Sequence, residues 1–286
     1  MLARALRAMG SSSSRETLNV LLEALGDPSA LTRWAAIEAL ARRRGDQVQA
    51  RLVALAREGE LPARAAALDA LARRAGHVPA ELRDLLAEAL AAGQPEELRQ
   101  AAAEALALRP DPAQAASLAA LAQDDSAGVA LRRAALEALG ALPEATAEAA
   151  SALSAALSDP FAALRASAAR AIGQLRWSEG RHALEQALPD PEAQVRGEAL
   201  RALAQVGDRA SLPAVRALLS DRQALFGVEV RRLARQALRR IAVREAARES
   251  KGRIQALGEA VRQRLARPAA PPPPPAAQEG PDERAE

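Results

Sequence analysis

Two histidines, His77 and His182, are the only imidazoles in this chain of 286 residues, and no cysteine accompanies them. Neither stands in a His-Glu-x-x-His pattern or has a second histidine at ligand spacing, so each reads as a surface or loop residue rather than a metal ligand. The lack of cysteine removes thiolate nucleophiles, cysteine metal ligands and disulfides together, and leaves the redox compartment undecided. No glycine-rich phosphate loop and no Gly-x-Ser-x-Gly elbow occurs. Carboxylates are plentiful but spaced as polar helix faces, with no acid/base pair set apart. No catalytic, cofactor or metal site is therefore assigned. Arginine recurs instead: Lys251 is the only lysine among 39 basic residues. The excess of Arg and Ala reads first as coding bias.

Stepping along the chain by arginine exposes a repeat. Arg33, Arg64, Arg99, Arg132, Arg165, Arg196 and Arg231 are spaced by 31, 35, 33, 33, 31 and 35 residues. Three residues after each stands an alanine (36, 67, 102, 135, 168, 199, 234), and six after stands another (39, 70, 105, 138, 171, 202, 237). Seven after come Leu40, Leu71, Leu106, Leu139, Ile172, Leu203 and Leu238. These offsets lie on one helical stripe, whereas offset five is polar throughout. A second amphipathic segment precedes each of these helices: Leu18 to Leu25, Leu52 to Ala56, Leu82 to Leu90, Ala115 to Leu121, Ala149 to Leu157, Leu184 to Leu188 and Leu212 to Leu219. Asp27-Pro28, Asp159-Pro160 and Asp190-Pro191 lie in the turns between, six residues before an anchor arginine, where Asp can cap the next helix and Pro suits its first turn. Hydrophobic residues make up 49% of the chain and aromatics only 1%, so Ala and Leu must supply the core. That suits closely stacked helices, and scarce β-branched and aromatic residues argue against strands.

The Asp-Pro, Arg and Ala-Leu pattern over residues 16–243, clearest in Asp159 to Gly173 and Asp190 to Ala204, resembles the HEAT repeat in its short bacterial form, also found in phycobilin-lyase-like proteins. The resemblance implies an all-α fold, a right-handed α-α superhelix or solenoid of about seven helical-hairpin repeats. The aromatic positions of tetratricopeptide repeats and the Thr-Pro-Leu-His of ankyrin repeats are missing. So are the His-Glu pairs of deoxyhypusine hydroxylase, a HEAT-type di-iron enzyme. No motif for the tetrapyrrole chemistry of the phycobilin lyases can be carried over.

Outside the array, residues 1–15 read as a partial cap, the second helix of a unit whose first is absent, with a Ser-rich join; a displaced start or a trimmed chain reads equally well. Residues 244–267 read as a basic amphipathic cap helix, with Ile254, Leu257, Val261 and Leu265 covering a flank of the last repeat. Residues 268–286, with Pro271 to Pro275 and an acidic end, read as a disordered polyproline-type tail. The seventh repeat has ten residues from Asp221 to Arg231 in place of six, an insertion around Phe226 that reads either as a recognition loop or as a plug against the cap helix.

In HEAT-like arrays the second helices line the concave side, so the resemblance places a partner-binding stripe at offsets one, five and nine from each anchor. It runs through Trp34, Glu38 and Arg42; Ala65, Asp69 and Arg73; Gln100, Glu104 and Leu108; Arg133, Glu137 and Ala141; Ala166, Arg170 and Gln174; Gly197, Arg201 and Gln205; and Arg232, Gln236 and Arg240. Its acidic centres give way to basic or neutral ones after the fourth repeat, which reads either as a bipolar groove or as ordinary i,i+4 salt bridges. Trp34 stands out as an aromatic binding residue, and Trp177 reads as binding residue or packing plug. The seven anchors read as a structural ladder tying repeats together beside turn carboxylates.

Charge is uneven: residues 1–230 carry 26 basic and 29 acidic side chains, residues 231–267 carry 12 and 3. The basic end could meet phosphate, yet it lacks stacking aromatics, and the acidic first repeats oppose the DNA grip of HEAT-like glycosylases. The expected function is a non-enzymatic, monomeric, cytoplasmic scaffold for an elongated protein partner, without cofactor or membrane span. The alternative is an accessory or regulatory protein of a phycobilin-lyase-like or nucleic-acid-processing system.

Overall fold

Every alanine at offsets three and six is at most 2% exposed, because these positions face the neighbouring repeat where only a methyl group fits. The computed structural model describes residues 2–12, 14–74 and 80–266, and side chains as far as residue 259 and at 262. His77 and the tail 268–286 lie outside the described residues. Contacts divide the chain into two units, Met1–Ala242 and Val243–Glu286.

The first unit opens with α1 (Leu2–Met9), followed by helical pairs: α2 (Arg15–Glu23) with α3 (Ala30–Arg42), α4 (Asp46–Glu58) with α5 (Leu61–Arg73), α6 (Ala80–Leu90) with α7 (Glu96–Leu108), and α8 (Ala115–Gln123) with α9 (Val129–Gly140). Then come α10 (Ala147–Ala156) with α11 (Ala162–Gln174), α12 (Arg181–Gln186) with α13 (Ala193–Val206), and α14 (Leu212–Ala217) with the start of α15 (Val230–Ala266). Among the described residues this is an all-α helical-repeat fold of seven pairs, with the second helices packed in series: α1 on α3, α3 on α5, and so on to α11 on α13. Large side chains fill the space between the two helices of a pair, Leu40, Leu106, Leu139, Ile172 and Leu203 each being at most 1% exposed. At the seam between second helices the approach is closer still. A Cβ at Gly140 would lie 2.6 Å from both Cα and Cβ of Ala171, and one at Gly173 would lie 2.8 Å from Cα of Ala202.

Two local expectations change. Asp159 and Asp190 are not the N-caps: Phe161 and Glu192 hold that position, and each aspartate accepts the N–H of its cap residue, at 2.8 and 2.9 Å, in an Asx turn with the proline between. The insertion in the seventh repeat is a small hairpin, β1 (Ala224–Leu225) antiparallel to β2 (Val228–Glu229). No strand was expected, but Phe226 (φ 47°) and Gly227 (φ 77°) supply the two positive φ angles that a tight type I′ turn requires.

In the second unit, α15 continues to Ala266 without a break, so the expected separate cap helix is the distal part of a longer helix. Ile254 and Leu257, expected to cover the last repeat, are 73% and 68% exposed. Among the described residues no helix is long and apolar enough to cross a membrane, and no group of three or more His, Asp or Glu could hold a metal ion.

Candidate partner-binding stripe and the arginine ladders

Offsets five and nine emerge as an exposed or half-buried row along α3, α5, α7, α9, α11, α13 and α15. Offset one does not hold throughout. Ala166 is fully buried, and Gly197 is covered by Leu225 of the hairpin, whose side chain occupies the space a Cβ would need. Both therefore leave the stripe, Ala166 because it is buried and Gly197 because the hairpin of the next repeat lies on it.

At the N-terminal end Trp34 is 42% exposed, with the Arg7 guanidinium 4.4 Å from its ring centroid. Arg7 also pairs with Glu38 at 3.1 Å, and Arg42 reaches the same carboxylate at 3.5 Å. α1 thus supplies a cation that holds two stripe residues. Asp69 pairs with Arg73 at 2.6 Å, and Gln100 donates to Glu104 at 2.9 Å. Burial pushes the Asp69 carboxyl above its ordinary value, and the negative charge of Glu104 adds to that against the opposing pull of Arg73. These two carboxylates form an acidic focus on neighbouring helices.

Further along, the charges neutralise each other. Glu137 pairs with Arg133 at 3.9 Å and with Arg170 at 3.5 Å; Arg170 reaches Glu198 at 3.6 Å, and Glu198 takes Arg201 at 3.0 Å. Glu198 is 3% exposed and escaped the sequence reading. The signal was available: offset two is otherwise Ala35, Ala66, Ala101, Ala134, Ser167 and Leu233, so a single glutamate there marks a buried ion pair. Gln236 is exposed near the start of α15. Phe226 projects from the hairpin at 77% exposure, while Leu225 (3%) does the packing. Trp177 closes the C-terminus of α11 in a Schellman arrangement: its N–H bonds the Ile172 carbonyl at 3.2 Å, and Arg176 takes the left-handed position at φ 52°. Its ring packs on Gly180 and the core, as a plug does. His182 is an exposed side chain beside Glu185 and Gln186.

The anchors divide into two kinds. Arg165 donates to the carbonyls of Asp159 (2.9 Å) and Pro160 (3.1 Å) in its own turn, and with two nitrogens to the Asp190 carboxylate of the next (2.7 and 3.0 Å). Arg196 repeats this with Asp190 and Pro191 behind and Asp221 ahead, and Arg132 grips Ala122 O behind and Asp159 ahead at 2.6 Å. Arg99 approaches Asp124 only to 3.8 Å, and its buried Nε has no partner among the described residues. Arg33, Arg64 and Arg231 bond within their own repeats, to Asp27 and Pro28 carbonyls, to Ala56 O and to Glu229. The physical reason for Arg33 and Arg64 lies ahead of them: the turn after Arg33 is Gly59-Glu60, the one after Arg64 is Gly93-Gln94-Pro95, and neither offers an aspartate.

A second arginine set was missed. Arg43, Arg74 and Arg109 stand ten residues after their anchors and reach back one repeat to the carbonyls that end the preceding second helix. Arg43 bonds Met9 O (3.5 Å) at the end of α1 and Ser14 O (3.0 Å) at the start of α2, Arg74 bonds Leu40 O (3.0 Å) and Arg43 O (2.6 Å), and Arg109 bonds Ala72 O (2.8 Å) and Arg74 O. From the fourth repeat the same position becomes Leu142, Leu175, Val206 and Ile241, all buried.

A family profile described as HEAT repeats matches residues 1–72, 82–173 and 149–239. The chain belongs to the HEAT-repeat family. Among solved HEAT-like solenoids it is similar to YibA of Escherichia coli, at 18% identity and TM-score 0.55 over 83% of this chain and 95% of that one. It is also similar to Kap121p in complex with Pho4p, at 13% identity and TM-score 0.57, over 84% of this chain and 28% of the other. Human deoxyhypusine hydroxylase aligns at 21% identity with a TM-score of 0.40, over 84% and 89%, too loose a fit to bear on function. At these identities the HEAT relatives establish the fold alone. No curated protein matches the chain in sequence.

Proposed function

We propose that this HEAT-repeat chain is a non-enzymatic scaffold whose second-helix stripe binds an elongated protein partner. The observation that carries the reading is the acidic focus of Asp69 and Glu104. Every other acidic centre of the stripe is met by an arginine from a neighbouring helix, Glu38 by Arg7 and Glu137 by Arg170, whereas Glu104 has no ion pair among the described residues and raises the carboxyl beside it. An exposed carboxylate at Glu104 without an ion pair, beside the half-buried Asp69–Arg73 pair, suits a cationic segment of a partner, with Trp34 and Arg73 nearer one end and Arg133, Arg170, Arg201 and Gln236 toward the other. Kap121p, a structural relative, is seen bound to a protein.

Glu104→Arg is the cleanest test, because the side chain is exposed and its one bond among the described residues is to Gln100. Proteins captured from the native lysate by the unaltered chain should be lost on Glu104→Arg, with melting unchanged. Capture that survives both Glu104→Arg and Glu137→Arg overturns the stripe. Retention of nucleic acid alone, released by salt, overturns the protein-scaffold reading.

A further inference from the structure

Six arginines, Arg42, Arg43, Arg44, Arg73, Arg74 and Arg109, line one open cleft of about 1060 Å³ at the C-terminal ends of α3, α5 and α7. Only two carboxylates, Glu38 and Asp46, share its wall, and Glu38 is already held by Arg7 and Arg42. Arg73 is engaged by Asp69. Arg43, Arg74 and Arg109 form no ion pair with any carboxylate among the described residues; their partners are carbonyl oxygens, which fix the guanidinium planes without cancelling their charge. Arg43 is 7% exposed, and burial lowers the Arg74 pKa with no carboxylate opposing it. Arg44 is exposed and has no hydrogen bond or ion pair among the described residues. Buried or fixed cations without counter-ions are costly unless an anion completes them.

We infer that this cleft binds an acidic, extended segment of a partner protein through successive carboxylates. Arg43, Arg74 and Arg109 come from consecutive stacked repeats, so their spacing follows that of packed helices, about 8–10 Å. A polyproline-type chain rises about 3.1 Å per residue with three residues per turn, which brings every third side chain to the same edge about 9 Å apart. Carboxylates at every third position would therefore meet Arg74 and Arg109 in turn through charge-assisted bonds from their remaining N–H groups, with exposed Arg44 at the edge and buried Arg43 adding its charge from behind. Single-stranded nucleic acid is the poorer fit, because no aromatic lines the cleft to stack on bases. The inference names a ligand for one end of the proposed stripe and to that extent rests on the scaffold reading. The two fail separately, because the cleft is tested with a defined peptide and the stripe with Glu104→Arg.

The test titrates the full chain with a fluorescein-labelled (Glu-Pro-Pro)4 peptide at low salt, beside (Gln-Pro-Pro)4 and an oligothymidylate of equal charge. The Glu peptide should bind, weaken steeply as salt rises, and lose about tenfold in affinity with Arg44→Glu, whose melting should match the parent's. Arg74→Gln provides a second variant inside the ladder, and Glu104→Arg should leave the peptide's affinity undiminished. Equal binding of the Gln peptide, tighter binding of the oligothymidylate, or unchanged affinity in both Arg44→Glu and Arg74→Gln would each overturn the inference.

Discussion

Replacing Arg165 by alanine should lower the stability of the array by about 2–4 kcal/mol. The side chain is 14% exposed and its partner Asp190 9%. Alanine removes two bonds to that carboxylate and two to the carbonyls of Asp159 and Pro160. Breaking a fully buried ion pair costs about 3–5 kcal/mol, because the surviving charge is left uncompensated, whereas exposed pairs contribute about 0–1 kcal/mol. Residual water access and the bond Asp190 keeps from the Glu192 N–H place this pair between those limits, nearer the first. Urea unfolding followed by helical circular dichroism measures the loss. Arg42→Ala, at 60% exposure, is the control and should cost under about 0.5 kcal/mol. A cycle with Asp190→Asn should give a coupling of about 1–3 kcal/mol.

The same pair has a pH signature. Burial raises the Asp190 carboxyl, but the Arg165 bond and the Glu192 N–H outweigh it and hold the group below its ordinary value. Its contribution is therefore complete above the unfolded-state carboxylate pKa of about 3.9, and is lost as pH falls through the lower folded value. The gap between parent and Arg165→Ala should be constant near neutrality and narrow in that acid range. Unchanged unfolding together with lost partner capture would refute the structural assignment of the anchor.

Three further substitutions probe separate features. Gly140→Ala gains up to about 1 kcal/mol of helix propensity but drives a methyl group to 2.6 Å from the Ala171 backbone, so a net loss of about 1–3 kcal/mol is expected in the same unfolding assay. Glu198→Gln removes the charge that Arg170 and Arg201 share; a loss of about 1–2 kcal/mol, read from urea midpoints, is expected, and an unchanged midpoint would dismiss the buried pair. Phe226→Gly relieves a positive φ in a side chain that packs on little, so stability should hold or rise by up to about 1 kcal/mol, and any loss of partner capture then belongs to the ring itself.

The stacked helices were legible because the seam makes the same demand in every repeat: a methyl group at offsets three and six, with a larger side chain behind. Where the demand is met by different chemistry in different repeats, columns hide it. Offset ten is arginine up to Arg109 and aliphatic from Leu142, so it looks like no column at all. The anchors were visible as a period, but crossing to the next repeat needs an aspartate some 25 to 27 residues later, present for Arg132, Arg165 and Arg196 and missing for Arg33 and Arg64; Arg99 has Asp124 at that distance but reaches it only to 3.8 Å. Strand propensity gave no warning of the hairpin, whose cause is two positive φ angles at Phe226 and Gly227. The stripe was placed from offsets alone, and it failed at Ala166, which is buried, and at Gly197, where Leu225 of the hairpin sits on top of it.

The change at offset ten gives the two halves of the array different cements. Early repeats are joined along one edge by guanidinium groups seated on helix-end carbonyls, later ones by buried Leu, Val and Ile. Chilling weakens the aliphatic joints most, since apolar association loses strength in cold water, and leaves the polar joints comparatively intact. In a chain whose repeats touch only their neighbours, each half can then open on its own schedule. Amide exchange measured at two temperatures should catch this as a reversal: the half that opens first near freezing is the half that holds longest when warm.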